Sequence, residues 1–147
     1  MKLSDYLTGK LFRPLGMCNW EWEESADGVT VGGWGLFTTT ENLAKLGQFL
    51  LDKGKWNGRQ LLAPEWVEAM TTVHQYQKSG TDAPDWRAGY GYQTWICTHD
   101  SFRVDGAHGQ ISLVVPGKNT VITVNGQFHK GKKNLMEMIW RTIYPKL

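Results

Sequence analysis

An α+β fold, with an antiparallel sheet packed against helices, is what this 147-residue sequence predicts. Three observations carry that expectation. Tyr90, Tyr92, Thr94 and Ile96 alternate with Gly91, Gln93, Trp95 and Cys97, the period of two that marks a strand. Ile111, Leu113 and Val115 continue the alternation, Pro116-Gly117-Lys118-Asn119 supplies turn residues, and 121–124 returns as a β-branched run. So short a connection requires an antiparallel hairpin. Finally, apolar residues recur at helical spacing after Thr38 and again from 134 to 144, where Leu135, Met138, Ile139 and Ile143 should face inward. The sheet is expected to have three antiparallel strands near 90–97, 110–116 and 120–126, with the closing helix on one face.

The chain has the size of one domain and can bury a core of its own. It divides into a mainly helical and loop part, 1–88, and a part holding the sheet and the last helix, 89–147. The net charge of +2 is spread along the chain and gives no argument for nucleic acid. The densest basic run, Lys130 to Lys133 beside His129, reads as a loop leading into a helix. Cys18 and Cys97 have neither metal-motif nor framework spacing, so they are expected as free thiols. No apolar run approaches the roughly 20 residues of a membrane span, and residues 1–12 lack an apolar signal core. Eight tryptophans are many; dispersed as they are, they read as packing residues before they read as a sugar platform.

In chain order, Ser4 can cap a short helix carrying Leu7, Leu11 and Phe12, which Pro14 stops. Residues 31–37 are glycine-rich without the Gly-x-x-x-x-Gly-Lys of a phosphate loop. Thr38-Thr39-Thr40-Glu41 reads as a capping box, Thr38 and Glu41 each satisfying an orphan N–H. The helix it opens carries Leu43, Leu46 and Leu50 on one stripe, with Ala44, Gly47 and Leu51 beside them, and ends at Gly54. Asn57-Gly58 makes a tight turn, and Pro64 starts a helix packing Trp66, Val67 and Met70. Residues 74–88 read as a long surface loop.

Several of these segments, taken together and in order, resemble the serine β-lactamase-related family of class C β-lactamases, low-molecular-weight penicillin-binding proteins and related esterases. Gly32-Gly33-Trp34-Gly35-Leu36-Phe37-Thr38 through Leu43-Ala44 is similar to its "GG-L-x-T-x-x-D-L-A-x-F" segment. Trp56-Asn57-Gly58 with 61–67, Tyr90-Gly91-Tyr92-Gln93, Gly109-Gln110 through Pro116, and the Pro14-Leu15-Gly16-Met17 segment resemble further parts. The resemblance implies the C-terminal portion of the β-lactamase/transpeptidase-like fold. It also implies acyl transfer to serine in an intact parent, a small lactam, amide or ester as substrate, and no cofactor. Localisation stays open, an extracytoplasmic parent being compatible with it.

The family acylates the serine of a Ser-x-x-Lys motif, moves the proton with a second motif, often Tyr-x-Asn, and lines the oxyanion side with Lys-Thr-Gly or His-x-Gly on a core strand. Three residues after Ser4, Ser25, Ser79, Ser101 and Ser112 stand Leu7, Gly28, Asp82, Val104 and Val115, none of them lysine. Two residues after Tyr6, Tyr76, Tyr90, Tyr92 and Tyr144 stand Thr8, Lys78, Tyr92, Thr94 and Lys146, none of them asparagine. The third motif falls either on Val104-Asp105-Gly106 or on the stretch Gly106 to Gln110 with His108. The substrate-side residues expected from this are Asp105, Gly106, His108, Gly109 and Gln110.

His108 has two readings: an imidazole that hydrogen-bonds a substrate carbonyl or carboxylate, or a polar residue satisfying a backbone carbonyl. Arg103 and Asp105 either orient it or pair with each other. His74, His99 and His129 have no second ligand at metal spacing, so no metal is expected. The chain alone should be inactive for want of a nucleophile; a non-catalytic binding module on the same cleft is the rival reading. The β-rich stretch 120–125, and an apolar helix face for which Met136, Trp140 and Tyr144 stand as candidates, should be left uncovered. Self-association or dependence on a complementary N-terminal fragment is therefore expected.

Overall fold

The computed structural model describes residues 1–77, 83–127 and 132–147. The basic run expected before the last helix falls largely outside them. Helix α1, Leu3–Leu7, continues as a wide π-type turn over Thr8–Phe12. Lys2, not Ser4, stands at its N-cap; the Ser4 hydroxyl instead meets the Thr30 hydroxyl at 3.1 Å. Strands β1 (Glu21–Trp22) and β2 (Leu36–Phe37) pair antiparallel. Helix α2 runs Thr40–Leu51, the hairpin β3 (Lys55–Trp56) and β4 (Arg59–Gln60) turns at Asn57-Gly58, and α3 covers Pro64–Met70. The supposed surface loop of 74–88 contains a helical turn, α4, Pro84–Arg87, whose Asp85 is buried.

Among the described residues the main sheet has four strands rather than three, in the order β5-β6-β7-β8, all antiparallel. They are β5 Trp95–Cys97, β6 Ser101–Asp105, β7 Ile111–Val115 and β8 Thr120–Val124. The hairpin of β7 and β8 stands where the alternation put it, turning through Asn119 in the left-handed region at φ 47°. The first expected strand is shorter than its alternation. Gly91 N–H donates to Thr94 O at 2.8 Å and Gln93 has φ 54°, so 91–94 is a tight turn and only Trp95–Cys97 enters the ladder. The extra strand, β6, lies between the first expected strand and the hairpin. Its polar residues Ser101, Arg103 and Asp105 share one side, where Arg103 pairs with Asp105 and Ser101 Oγ donates to Thr98 O.

Helix α2 packs over β7 and β8. Its N-cap is Thr39 rather than Thr38: Thr39 Oγ1 accepts from Asn42 N at 3.2 Å. Asn42, buried, turns its carboxamide back to donate to Cys18 O and to Thr38 Oγ1, so the cap is tied to the N-terminal segment. Glu41 lies in the first turn, where its own backbone N–H and the Thr39 side chain hold its carboxyl below the usual range. The buried residues of α2 are Asn42, Gly47, Phe49 and Leu50. Gly47 sits so close to the sheet that a methyl there would press into Ser112 Oγ and Val121 Cγ1. Gly54 N–H closes the helix end onto Phe49 O. On α3, Val67 is buried whereas Trp66 is 52% exposed, stacked on Tyr92.

Two cores flank the sheet. On the α2 side Phe12, Leu15, Met17, Phe49, Leu50, Val67, Phe102 and Val114 form one cluster. On the other side Cys97, Ile111, Leu113 and Val115 pack against Leu135, Met136 and Ile139 of the last helix, α5, Lys132–Met138, and its wide π-type continuation Ile139–Ile143. The inward face of that helix differs from expectation. Met136 is 1% exposed and Trp140 and Tyr144 pack against the core, while Met138 is 51% exposed and Ile143 is also exposed. A π-type turn has more residues per revolution than an α-helix, so the 3.6 period fails to place Ile143.

Candidate functional site

The site the sequence pointed to is the turn between β6 and β7, and Gln110 holds it together. Gly106 N–H donates to Gln110 O at 2.7 Å. The Gln110 side chain then does two jobs at once: Oε1 accepts from His108 N–H at 3.2 Å and Nε2 donates to Gly126 O at 2.8 Å. Gly126 N–H returns to Gly109 O at 3.2 Å. The turn is thereby pinned both to itself and to the segment that follows β8. Both glycines are used. A side chain on Gly106 would collide with the Gln110 carboxamide, and Gly109 is buried with φ 100°, a conformation that favours glycine. His108 is exposed on the rim.

Asp105 is in the turn by sequence but not by chemistry. It pairs with Ile111 at the end of the ladder, and its carboxylate, 7% exposed, accepts from Arg103 Nε at 2.9 Å. Of the two readings for Arg103 and Asp105, the structure shows the ion pair. Of the five expected residues, Gly106, His108, Gly109 and Gln110 are brought together on the turn, and Asp105 anchors it from below.

The sequence reading missed what stands behind that anchor. Arg103 is fully buried. Its Nη1 donates to Asp85 O at 3.1 Å and to Cys97 Sγ at 2.8 Å. Its guanidinium carbon lies 4.3 Å from the Trp86 ring centroid and 5.3 Å from that of Trp95, and such faces attract a desolvated cation. The Asp85 carboxylate accepts from Thr98 N and Oγ1 on one oxygen and from Trp140 Nε1, at 2.7 Å, on the other. One network thus ties α4, β5, β6 and the last helix together. Burial pushes the Cys97 thiol up to about 11 against the opposing pull of Arg103, so it is a packed thiol and a poor nucleophile. Cys18 is exposed and also free. At the same end of the sheet, burial, with a smaller contribution from Asp105, raises the Tyr90 phenol above its ordinary value.

The described serines spend their hydroxyls structurally. Ser101 and Ser112 are buried, Ser101 Oγ donating to Thr98 O and Ser112 Oγ bonding Thr123 Oγ1. Ser25 Oγ accepts from Val29 N. Ser79 lies outside the described residues. Among the described residues no group of three or more His, Cys, Asp or Glu converges as metal ligands, and no helix is long and apolar enough to cross a membrane.

Residues 1–137 match the family model described as Beta-lactamase. Solved structures agree in fold. A Bacillus anthracis protein described as a 6-aminohexanoate-dimer hydrolase superposes with a TM-score of 0.73 at 22% identity, over 99% of this chain and 38% of that one. Simvastatin synthase (LovD) from Aspergillus terreus gives 0.68 at 18% identity, over 98% of this chain and 49% of that one. An octameric penicillin-binding protein homologue from Pyrococcus abyssi gives 0.59 at 15% identity, over 92% and 37%. The chain therefore spans between about a third and a half of each of these three. No curated protein matches it.

Proposed function

Because the chain belongs to the Beta-lactamase family, we propose that it supplies one wall of an acyl-transfer site, the turn from Gly106 to Gln110. The observation that carries this is the pinning of that turn. A rim fixed by Gln110 to Gly126 and by Arg103 to Asp105 presents its backbone and His108 in one arrangement, as preorganised stabilisation of a developing oxyanion requires. In this reading Gly106 and Gly109 let a substrate carbonyl approach the backbone. His108 hydrogen-bonds the substrate's carbonyl or carboxylate, and Gln110 and Asp105 hold the turn without touching substrate.

The nucleophile comes from elsewhere in this reading. The described serines carry no lysine three residues on, and Ser101 and Ser112 are sealed in the sheet; a serine without a base is a weak nucleophile at neutral pH. A segment bearing Ser-x-x-Lys must complete the cleft for an amide, lactam or ester to be acylated. The same missing lysine partners favour the second reading, a non-catalytic module that binds such compounds on the same turn.

Intact-mass spectrometry after exposure to a penicillin, with a nitrophenyl-ester assay beside it, is the test. The chain alone is expected to give neither adduct nor turnover, and to gain both on mixing with a family N-terminal fragment carrying Ser-x-x-Lys. A stoichiometric adduct on any serine of the chain alone overturns the proposal. Retained ligand binding with no gain on mixing favours the module.

A further inference from the structure

Helix α4 is a single turn, Pro84–Arg87, far below the length at which a helix holds itself in water. Its place in the fold is set by what its side chains reach, and Asp85, 4% exposed, reaches into the interior. One carboxylate oxygen accepts from Thr98 N–H at 3.0 Å and from the Thr98 hydroxyl at 2.7 Å. The other accepts from Trp140 Nε1 at 2.7 Å. Thr98 follows β5 directly. Trp140 belongs to the last helix, where its ring is stacked on His99 at 4.4 Å. The carboxylate therefore fastens α4 to two elements that are 13 and 55 residues away in sequence.

In return, α4 provides a seat for Arg103. The Asp85 carbonyl accepts from Arg103 Nη1 at 3.1 Å, and the Trp86 ring lies 4.3 Å from the guanidinium carbon. A long, flexible side chain loses much rotamer entropy when it is held, so the aim of this guanidinium depends on such contacts. Its Nε then meets Asp105 Oδ2 at 2.9 Å, and Asp105 is the last residue of β6 before Gly106. The path from Asp85 to the turn thus runs through one guanidinium. Asp85 and Arg103 are buried and the Asp105 carboxylate is 7% exposed, so each hydrogen bond along the path is stronger than it would be in water.

We propose that Asp85 is a positioning residue for the Gly106–Gln110 turn, acting through Arg103 and Asp105. Its catalytic consequence rests on the acyl-transfer reading of that turn; its structural consequence rests on the hydrogen-bond geometry alone. An asparagine at 85 cannot replace the carboxylate. Donors face both oxygens, so the amide group must meet either Thr98 or Trp140 donor to donor. In either orientation one buried clasp of α4 is lost, and with it the fixed seat of Arg103.

Amide hydrogen exchange of Asp85→Asn, read separately at 106–110 and along α2, tests the structural half. Exchange at 106–110 should quicken at least about tenfold more than exchange along α2, whereas a general loss of stability moves both alike. Trp140→Phe removes the indole donor, so in the Asp85→Asn background it should add less than it does alone. Thr98→Val takes away the hydroxyl donor and keeps the N–H. It should give the same pattern more weakly, and it carries the test if Asp85→Asn does not fold. The catalytic half is read on the chain mixed with an N-terminal fragment bearing Ser-x-x-Lys. There Asp85→Asn should lower kcat for a nitrophenyl ester at least about tenfold, with KM changed less than about twofold.

Equal quickening at 106–110 and along α2, or none at either, overturns the proposal and leaves the acyl-transfer reading standing. So does an unchanged kcat in an active mixture. A mixture that shows no turnover even with the unsubstituted chain counts against the acyl-transfer reading alone, and the exchange result still decides the role of Asp85.

Discussion

The two faces of the main sheet are built by different means. On the α2 face the contact is apolar: Phe102 and Val114 from the strands meet Phe49 and Leu50 from the helix and Phe12, Leu15 and Met17 from the N-terminal segment. On the α5 face the apolar cluster of Ile111, Leu113, Val115, Leu135, Met136 and Ile139 shares its space with a buried cation. Arg103 is held there by Asp105, by Asp85 O, by Cys97 and by two tryptophan faces. An apolar face tolerates many solutions of similar volume. A buried ion network tolerates few, because each member loses its compensation when another leaves. The candidate turn is fastened to the second kind of face, through Asp105.

Breaking that network is expected to have the largest effect. Arg103→Leu, which deprives the Asp105 carboxylate of its guanidinium partner, should cost about 3–5 kcal/mol in urea or thermal unfolding. It should also loosen amide protection at 106–110. The matching change on the other face, Phe49→Ala, should cost a similar 3–5 kcal/mol through its cavity while leaving the protection pattern of 106–110 intact. If both variants disturb the turn equally, the two faces do not differ in the way described.

The next effect is alkaline. Folding raises the Cys97 thiol from 9.0 to about 11, so the native state favours the protonated form. That stabilisation is complete below pH 9, declines as the pH rises toward 11, and amounts at most to roughly 2–3 kcal/mol. Unfolding free energy should fall over that window, and Cys97→Ala should flatten the decline. A thiol reagent at pH 8 should modify Cys18 at once and Cys97 only after unfolding. The smallest effect belongs to the cap: Thr39→Ala should cost about 1 kcal/mol, and Thr38→Ala, which removes only one of the two acceptors of Asn42 Nδ2, less. The reverse order would return the cap to Thr38, where the sequence pattern put it.

The periodic, locally determined elements were legible. The β7–β8 hairpin, α2 and the Asn57-Gly58 turn follow from residue spacing and turn chemistry, and the family resemblance from segments in order. Strand β6 was hidden because Ser101, Arg103 and Asp105 look like a solvated connection. Thr98 for Ser101, Asp85 and Cys97 for Arg103, up to 18 residues away, and the Arg103–Asp105 pair make them interior residues. Tyr90 to Thr94 carried the right alternation but includes a Gly91–Thr94 turn that period alone does not reveal. In the candidate site, Gly106, His108, Gly109 and Gln110 could be read from the motif. The role of Gln110 as a two-ended clasp depends on Gly126, which is adjacent only once β8 has returned.

That the main sheet is a plain meander bears on the order in which the chain can assemble. Each strand pairs with its neighbour in sequence across a short connection, so closing any one hairpin fixes few residues. Docking α2 onto β8 encloses a loop of roughly 70 residues. By the logarithmic dependence of closure entropy on length, that contact costs about 2 kcal/mol more than a ten-residue hairpin. The strands should therefore zip early and locally, with α2 and the N-terminal segment arriving later. During that interval, the α2 face of β8 stands exposed.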